Sequence, residues 1–291
     1  MDRKVCIITG ANSGIGKETA IQLANMGYHV ILACRNKERG NQALQEILGK
    51  TKDSSVELRL VDMSSQTSIE VFAKEILAAY PRVDILIHNA AIFDITQKTA
   101  QYTLEGVETI WATNHIGPVL LTQLLLPALR NSEAGRILTI SSKGLLAKPA
   151  LKVNLDDPEF KNRRFSVAEA YYQSKRAQEM FTLWQSGRLA GLQVTINCIR
   201  VTAVSIDEER LGSLSPWLKR LYALKSKHAL APHEMARTYV DLAVSEDMRG
   251  VSGKIFDENR QHVRVNAYTR DPKAIDTVMD LTLKYLRVQK G

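Results

Sequence analysis

The sequence predicts a doubly wound α/β fold, a parallel sheet with helices on both faces, as one domain over residues 1–291. Short apolar runs alternate with helical patterns from Val5 to Arg200, as right-handed strand–helix–strand units require. These runs lack strict polar alternation, which is typical of strands buried on both faces. With 291 residues, of which 45% are hydrophobic, the chain can bury a large core without disulfides or metals. We find no internal repeat and no Pro/Gly/Ser-rich linker, so we predict a single domain.

Each element follows from its local pattern, because a short β-rich run is followed by a longer stretch of helical periodicity. The predicted strands are Val5–Thr9, His29–Cys34, Val56–Val61, Val83–His88, Arg136–Ser141 and Gln193–Arg200. The predicted helices are Ile15–Asn25, Lys37–Leu48, Gln66–Ala79, Thr103–Arg130 and Ala168–Leu189. Residues Ala274–Val288 form an amphipathic, basic helix, which we expect to pack against the domain or a second subunit rather than a membrane surface.

Cysteine usage and hydropathy exclude several classes of protein. Cys6, Cys34 and Cys198 lie far apart, so we expect buried thiols rather than a disulfide framework, and we predict no metal site. A strand-like run begins at Val5, which leaves no room for a signal peptide. The stretch Thr109–Leu129 lacks Asp, Glu, Lys and Arg, but polar residues and prolines interrupt it, so we predict a buried helix rather than a membrane span. We therefore expect a cytoplasmic protein.

The formal net charge is +8, which can indicate nucleic-acid binding. The basic clusters Arg35–Arg39, Lys161–Arg164 and Lys219–Lys227 are short and scattered, with no aromatic platform between them. We therefore predict no nucleic-acid partner and attribute part of the charge to an anionic cofactor.

A glycine-rich turn, Thr9–Gly16, joins the first predicted strand to the first helix. Glycines let the chain turn sharply and let backbone N–H groups approach a pyrophosphate at a helix N-terminus. A tight turn without a ligand is the alternative, but a position between the first strand and the first helix is the one that dinucleotide binding requires. The fold prediction is therefore of the Rossmann type.

The end of the second strand indicates which dinucleotide is bound. In such folds an acidic residue there accepts the ribose 2′-hydroxyl of NAD, whereas a nearby arginine suits the 2′-phosphate of NADP. Cys34 occupies this position and Arg35 follows it. Arg35 could be an ordinary surface cation, but the missing carboxylate favours NADP(H).

Tyr171 and Lys175 are four residues apart on a predicted helix, so their side chains lie on one face. A tyrosine with a pKa near 10 is a poor acid–base group at neutral pH unless a neighbouring cation stabilises its phenolate. Lys175 could supply that charge, although Tyr-x-x-x-Lys pairs also occur by chance on solvated helices.

Together these motifs resemble the short-chain dehydrogenase/reductase family over nearly the whole chain. Asp62 resembles its adenine-binding position, and Asn89-Ala90-Ala91 resembles its Asn-Ala-Gly strand end. Ala33–Asn36, Asn114–Gly117 and the long separation of Ser142 from Tyr171 resemble its retinol dehydrogenase and WW-domain-oxidoreductase branch. The order of the family's catalytic tetrad is matched by Asn114, Ser142, Tyr171 and Lys175.

The resemblance implies an NADP(H)-dependent enzyme that interconverts a carbonyl and an alcohol on an apolar, bulky small molecule. Tyr171 would be the general acid, Ser142 would bind the carbonyl oxygen, and Lys175 would lower the tyrosine pKa and hold the ribose. Asn114 would support a proton relay, in which its carbonyl, to which Pro118 cannot donate, would hold a water. Ser141 is the competing serine.

The resemblance also implies the cofactor-binding residues. They are Gly10, Asn12, Ser13, Gly14, Ile15, Gly16, Arg35, Asn36, Asp62, Met63, Asn89, Ala90, Ala91, Tyr171, Lys175 and Val204.

Other parts of the chain leave alternatives open. The family's Pro-Gly after the sixth strand is replaced by Val201-Thr202, so a catalytically silent cofactor-binding sensor is the second hypothesis. Substrate loops are expected at 143–170 and 205–231, with Leu211–Leu230 as an apolar lid that includes Trp217. By analogy, subunits would pair as a homodimer or homotetramer through the two long predicted helices.

Overall fold

The computed structural model describes residues 3–51, 55–204 and 229–286. Within these residues a parallel sheet of seven strands has the order β3-β2-β1-β4-β5-β6-β7. The strands are β1 (Val5–Thr9), β2 (His29–Cys34), β3 (Ser55–Leu60), β4 (Ile85–His88), β5 (Gly135–Ser142), β6 (Val194–Val201) and β7 (Ile255–Phe256). The order reverses between β1 and β4, which creates a crevice at the carboxyl ends of these strands.

The helices lie on both faces of the sheet. They are α1 (Gly14–Asn25), α2 (Lys37–Lys50), α3 (Gln66–Ala79), α4 (Thr109–Trp111), α5 (Gly117–Arg130), α6 (Val167–Arg188), α7 (Pro232–Val244), α8 (Ala267–Arg270) and α9 (Pro272–Tyr285). One apolar core joins the sheet to α3, α5, α6 and α9, and a second joins its other face to α1, α2 and α7. The predicted doubly wound fold is confirmed.

Six strands match the prediction to within two residues at each end, and β7 and α7 were not predicted. The predicted helix Thr103–Arg130 is the largest error. Its first six residues form a turn in which Tyr102 pairs with Glu108, and a helix begins only at Thr109. The carboxylate of Glu108 caps that helix by accepting hydrogen bonds from the N–H groups of Ile110 at 3.0 Å and Trp111 at 2.8 Å.

A π-helix, Ala112–Ile116, joins α4 to α5. The Gly117 N–H donates to the Ala112 carbonyl, five residues back, and Pro118 follows with no N–H to donate. Gly117 is required here because a β-carbon would lie 2.2 Å from the Met63 carbonyl oxygen. The predicted continuous α-helix is therefore wrong at this point, and the expansion falls on Asn114.

Helix α9 packs against α6 through Ile275, Val278 and Met279, which join the same core as Met180 and Phe181. Hydrogen bonds fix neighbouring parts of this region: the His115 ring, in the π-helix, lies 2.7 Å from the Thr282 hydroxyl of α9, and Arg176 of α6 donates to Thr269 of α8 at 3.0 Å. The expectation that the terminal helix packs against the domain is confirmed. One of the two helices through which subunits were expected to pair is thus covered by the chain itself.

Candidate active site

The glycine-rich turn is held against the strand end at Asn89. The Asn89 amide donates to the Thr9 carbonyl at 3.0 Å and to the Gly10 carbonyl at 3.1 Å. Gly16 must lack a side chain, since a β-carbon there would lie 2.4 Å from the Asn89 amide nitrogen. Gly10 has φ of +65° and lies against Ala90, so it needs glycine on both conformational and steric grounds.

Helix α1 begins directly after this turn, and the side chain of its N-cap residue, Ser13, makes no capping hydrogen bond. The first N–H groups of a helix have no partner within the helix and carry a partial positive charge. The turn therefore presents an anion-binding end to the crevice.

A cleft of about 370 Å³ opens between this turn and the ends of β2 and β4. Most predicted cofactor residues line it: Gly10, Asn12, Ser13, Gly14, Ile15, Arg35, Asn36, Asp62, Met63, Asn89, Ala90, Ala91 and Val204. Three predicted cofactor residues are not in the lining: Gly16 lies behind it, and Tyr171 and Lys175 lie outside it. Sequence reasoning missed Ala33, Arg39, Val61, Ile92 and Thr113, of which Arg39 adds a second guanidinium one helical turn after Arg35.

Arg35 extends from the end of β2, where its side chain is 66% exposed and lies 4.0 Å from an Asp62 carboxylate oxygen. Asn36 instead uses its side chain to cap α2, accepting from the Arg39 N–H at 2.8 Å. Burial raises the pKa of Cys34 to about 11, so the thiol at the usual acidic position is uncharged at neutral pH. This end of the cleft therefore has two guanidinium groups and no carboxylate at the position that selects NAD.

Asn114 ties the loop after β4 to helix α6. Its side-chain oxygen accepts from the Ile92 N–H at 2.7 Å, and its amide donates to the Ile92 carbonyl at 3.1 Å and the Ser174 hydroxyl at 3.2 Å. Ile92 lines the cleft, so Asn114 positions the wall between the cleft and α6. The proposed water at its carbonyl stays a prediction.

At the end of β5, Ser142 is the hydrogen-bonding neighbour that lowers the pKa of Tyr171, and its hydroxyl oxygen also accepts from the Gly144 N–H at 3.2 Å. Ser141 points the other way and donates to Glu179 on α6 at 2.9 Å. Glu179 is also bound by Arg200 at 2.6 Å, so the Ser141 hydroxyl is held in a buried polar cluster beneath the site. Of the two candidate serines, Ser142 is the one placed at Tyr171.

Lys175 is only 2% exposed, and its ammonium donates to the Ile140 carbonyl at 2.9 Å. Burial lowers the pKa of Lys175 to about 8. Burial raises the pKa of Tyr171 to about 12, and the hydrogen bond with Ser142 offsets this only in part. The ammonium lies 5.6 Å from the centre of the Tyr171 ring, and the expected lowering of the Tyr171 pKa by Lys175 is not found in this arrangement.

Phe93 is a site residue that the sequence did not indicate. Its ring stacks on that of Tyr171 with centroids 4.2 Å apart and an interplanar angle of 25°, although its side chain remains 45% exposed. Tyr172 meets Tyr171 edge-on at 5.2 Å. A nonpolar surface thus lies against the Tyr171 ring.

The substrate loops are described in part. Residues 205–228, which include all but the last two residues of the predicted lid, lie outside the described residues. The first loop is fixed to α6, because Gln173 donates to the Pro158 carbonyl at 2.6 Å. Within the loop, the Asn154 side chain accepts from the Asp157 N–H at 2.7 Å. Within residues 3–51, 55–204 and 229–286, no helix has the length and apolar character to span a membrane. The same residues contain no cluster of His, Cys, Asp or Glu that could bind a metal.

The fold and the site define a Rossmann-type α/β protein with a serine, tyrosine and lysine grouped at the end of β5. A profile of the family described as short chain dehydrogenase matches residues 4–152. Human retinol dehydrogenase 13 is 38% identical over 264 residues, which cover 89% of this chain and 77% of that protein. Mouse retinol dehydrogenase 12 is 35% identical, with coverage of 98% and 87%. The chain belongs to the short-chain dehydrogenase family of oxidoreductases, in its retinol dehydrogenase branch.

Solved structures support the same fold. A protein from Mycobacterium paratuberculosis is 26% identical, with a TM-score of 0.74 and coverage of 97% of this chain and 92% of that chain. A protein from Shigella flexneri, described as a short chain dehydrogenase complexed with NADP, is 23% identical, with a TM-score of 0.65 and coverage of 89% and 98%.

Proposed function

We propose that the protein is an NADP(H)-dependent oxidoreductase that interconverts a carbonyl and an alcohol on an apolar, bulky small molecule. The observation that carries the proposal is the juxtaposition of two parts: the cleft lined by the glycine turn, and the Ser142–Tyr171 pair. They meet at adjacent residues, because Ile92 lines the cleft and Phe93 stacks on Tyr171.

The cleft fits a phosphorylated dinucleotide by its chemistry. The N-terminus of α1 and the glycine turn would bind the pyrophosphate. Asp62 would bind the adenine, as the resemblance to the family implies. Arg35 and Arg39 provide bidentate donors for a 2′-phosphate, and Cys34 offers no charge that would repel it. The Shigella flexneri relative, described with NADP, is consistent with this preference.

In this proposal the nicotinamide cofactor supplies the hydride, and the protein supplies position and the proton. Tyr171, whose raised pKa keeps it protonated, donates its proton to the carbonyl oxygen during reduction. Ser142 orients that oxygen by a second hydrogen bond. Lys175, with a pKa near 8, would approach the ribose and replace the proton on Tyr171.

The substrate class follows from the surface beside Tyr171. Phe93 offers an exposed aromatic face, and hydrophobic transfer favours a nonpolar substrate there. The relatives are named retinol dehydrogenases, which is consistent with a bulky, apolar alcohol or aldehyde.

A steady-state panel of aldehydes and ketones, from small polar to large apolar, with NADPH and NADH in parallel, tests the proposal. We expect turnover with the large apolar members and a lower KM for NADPH. If NADPH binds but no member of the panel is reduced and no alcohol is oxidised, the catalytically silent alternative holds, and the Val201-Thr202 replacement becomes its structural basis.

A further inference from the structure

A second cavity, of about 480 Å³, lies at the N-terminal ends of the strands, whereas the cofactor cleft lies at their C-terminal ends. Its walls come from the residues at which β1, β4 and β5 begin and from the C-terminal end of α7. Because the strands are parallel, the full length of the strands separates this cavity from the active site. The cationic side chains in its lining are Lys4, Arg82, Arg136 and Arg249.

Arg136 is the buried cation of this cavity. It is 8% exposed, and among the described residues its guanidinium makes no hydrogen bond and no ion pair. One of its terminal nitrogens, Nη1, is fully buried without a partner. Burial lowers the pKa of Arg136, yet a guanidinium stays charged at neutral pH, and a buried, unpaired charge is costly.

The acidic residues nearby do not neutralise this charge. Asp84 is occupied, since it accepts from the Val5 N–H at 2.8 Å, from Arg82 at 3.2 Å and from the Ser132 hydroxyl at 2.7 Å. Glu246 pairs with Arg249 on the surface at 3.6 Å.

Two cationic side chains of the lining are not neutralised by a paired carboxylate within the described part of the chain. Glu133 and Glu246 line the cavity together with Asp84, and Glu246 and Asp247 act on Arg136 only at a distance beyond that of an ion pair. Arg136 and Lys4 are therefore the cations of the lining that have no carboxylate partner within ion-pair distance among the described residues.

We propose that this cavity binds a small oxyanion, a phosphate or a carboxylate group, through the guanidinium of Arg136 with Lys4 at the rim. The planar fork of arginine presents paired donors that match either group. The Tyr28 hydroxyl lies in the same lining and adds a neutral donor. A bound anion would offset the unpaired charge of Arg136, which lines the cavity, and the proposal does not depend on the catalytic activity.

Inorganic phosphate and succinate are the probes, titrated at constant ionic strength into the full chain, with the unfolding temperature and calorimetric heat as readouts. We expect a saturable rise in unfolding temperature with at least one of the two anions. Arg136→Met should weaken that binding by about tenfold or more, the contribution of a charge-assisted pair of hydrogen bonds. Lys4→Gln should weaken it by a smaller factor, and Lys74→Met, at an exposed lysine of α3, should leave it unchanged.

Three results would overturn the proposal. The first is an absence of saturable binding of either anion to the unmodified protein. The second is an equal response in Arg136→Met and Lys74→Met, which shows an effect of net charge alone. The third is a response that survives Arg136→Met and is lost in Arg35→Ala, which places the anion in the cofactor cleft instead. The affinities for phosphate and succinate then decide whether the site prefers a phosphate or a carboxylate group.

Discussion

Replacing Lys175 with methionine should stabilise the protein at neutral pH while abolishing its activity. Methionine is close to lysine in length and removes only the charged end of a side chain that is 2% exposed. A pKa lowered by burial from 10.5 to about 8 means that keeping the ammonium charged in the folded protein costs roughly 3 kcal/mol.

The variant also removes an interaction, because the Ile140 carbonyl loses the donor that lies 2.9 Å away. A lost hydrogen bond of this kind costs about 1–2 kcal/mol. The expected net gain for Lys175→Met at pH 7 is therefore about 1–2 kcal/mol in the free energy of unfolding.

The gain depends on pH with a defined sign. Between pH 8 and 10.5 the unfolded chain holds a proton on Lys175 that the folded protein has released, so the stability of the unmodified protein rises with pH. The advantage of Lys175→Met should shrink above pH 8 and reverse between about pH 9 and pH 10, and by pH 10.5 only the lost hydrogen bond should remain.

Urea denaturation without cofactor, at pH 7 and at pH 10, measures this difference, because groups common to both proteins cancel. Lys74→Met, at an exposed lysine, is the matched control and should change stability by less than about 0.5 kcal/mol at both values. A Lys175→Met protein that is less stable at pH 7, or whose gain is the same at pH 10, would refute the reasoning.

The other predictions concern cofactor, proton donor and substrate. Arg35→Ala should raise the Kd of NADPH about tenfold or more and leave that of NADH nearly unchanged, since only NADPH carries the 2′-phosphate. An equal loss of affinity for both cofactors would show that Arg35 does not select between them. Tyr171→Phe should lower kcat about 10²–10⁴-fold with cofactor binding intact, whereas Tyr172→Phe should remain close to wild type, and the reverse outcome would reassign the proton donor. Phe93→Ala should raise KM for large apolar substrates several-fold, and Ile95→Ala, at a residue equally exposed at 45%, should not; similar changes in both would remove Phe93 from the substrate surface.

Local sequence patterns predicted the parts of the fold that are buried on both sides. Strand β1 was predicted in full because its five residues are all apolar or small and are followed by glycines. Strand β7 has only two residues, too few to show a period. Helix α7 was missed although its sequence carries a start signal, with Pro232 in the first turn and Glu234 accepting from the Ala231 N–H at 2.9 Å.

The start of the helix before Asn114 was misplaced for a different reason. Its cap is a glutamate, Glu108, whose buried carboxylate takes the place that a serine, threonine or aspartate usually fills. Burial raises the pKa of Glu108 to about 7, an unusual environment that no local pattern shows. Tertiary packing therefore decided this boundary.

The candidate site likewise contains residues that local motifs predict and contacts that only the tertiary fold creates. Most residues predicted from motifs line the cleft, because a glycine turn and the ends of strands have a defined local geometry. The stacking of Phe93 on Tyr171 and the pairing of Arg35 with Asp62 join residues far apart in the chain. Such contacts depend on the path of loops, which composition and periodicity do not encode.

The packing of α9 on α6 also affects how the chain folds during synthesis. Helix α6 carries Tyr171 and Lys175, yet the residues that cover it, Ile275, Val278 and Met279, leave the ribosome long after it does. Until then the part of α6 that α9 covers is open to water and to other chains. The nascent enzyme must therefore carry an uncovered hydrophobic helix through most of the synthesis of its last third, a period in which chaperone binding would protect it from aggregation.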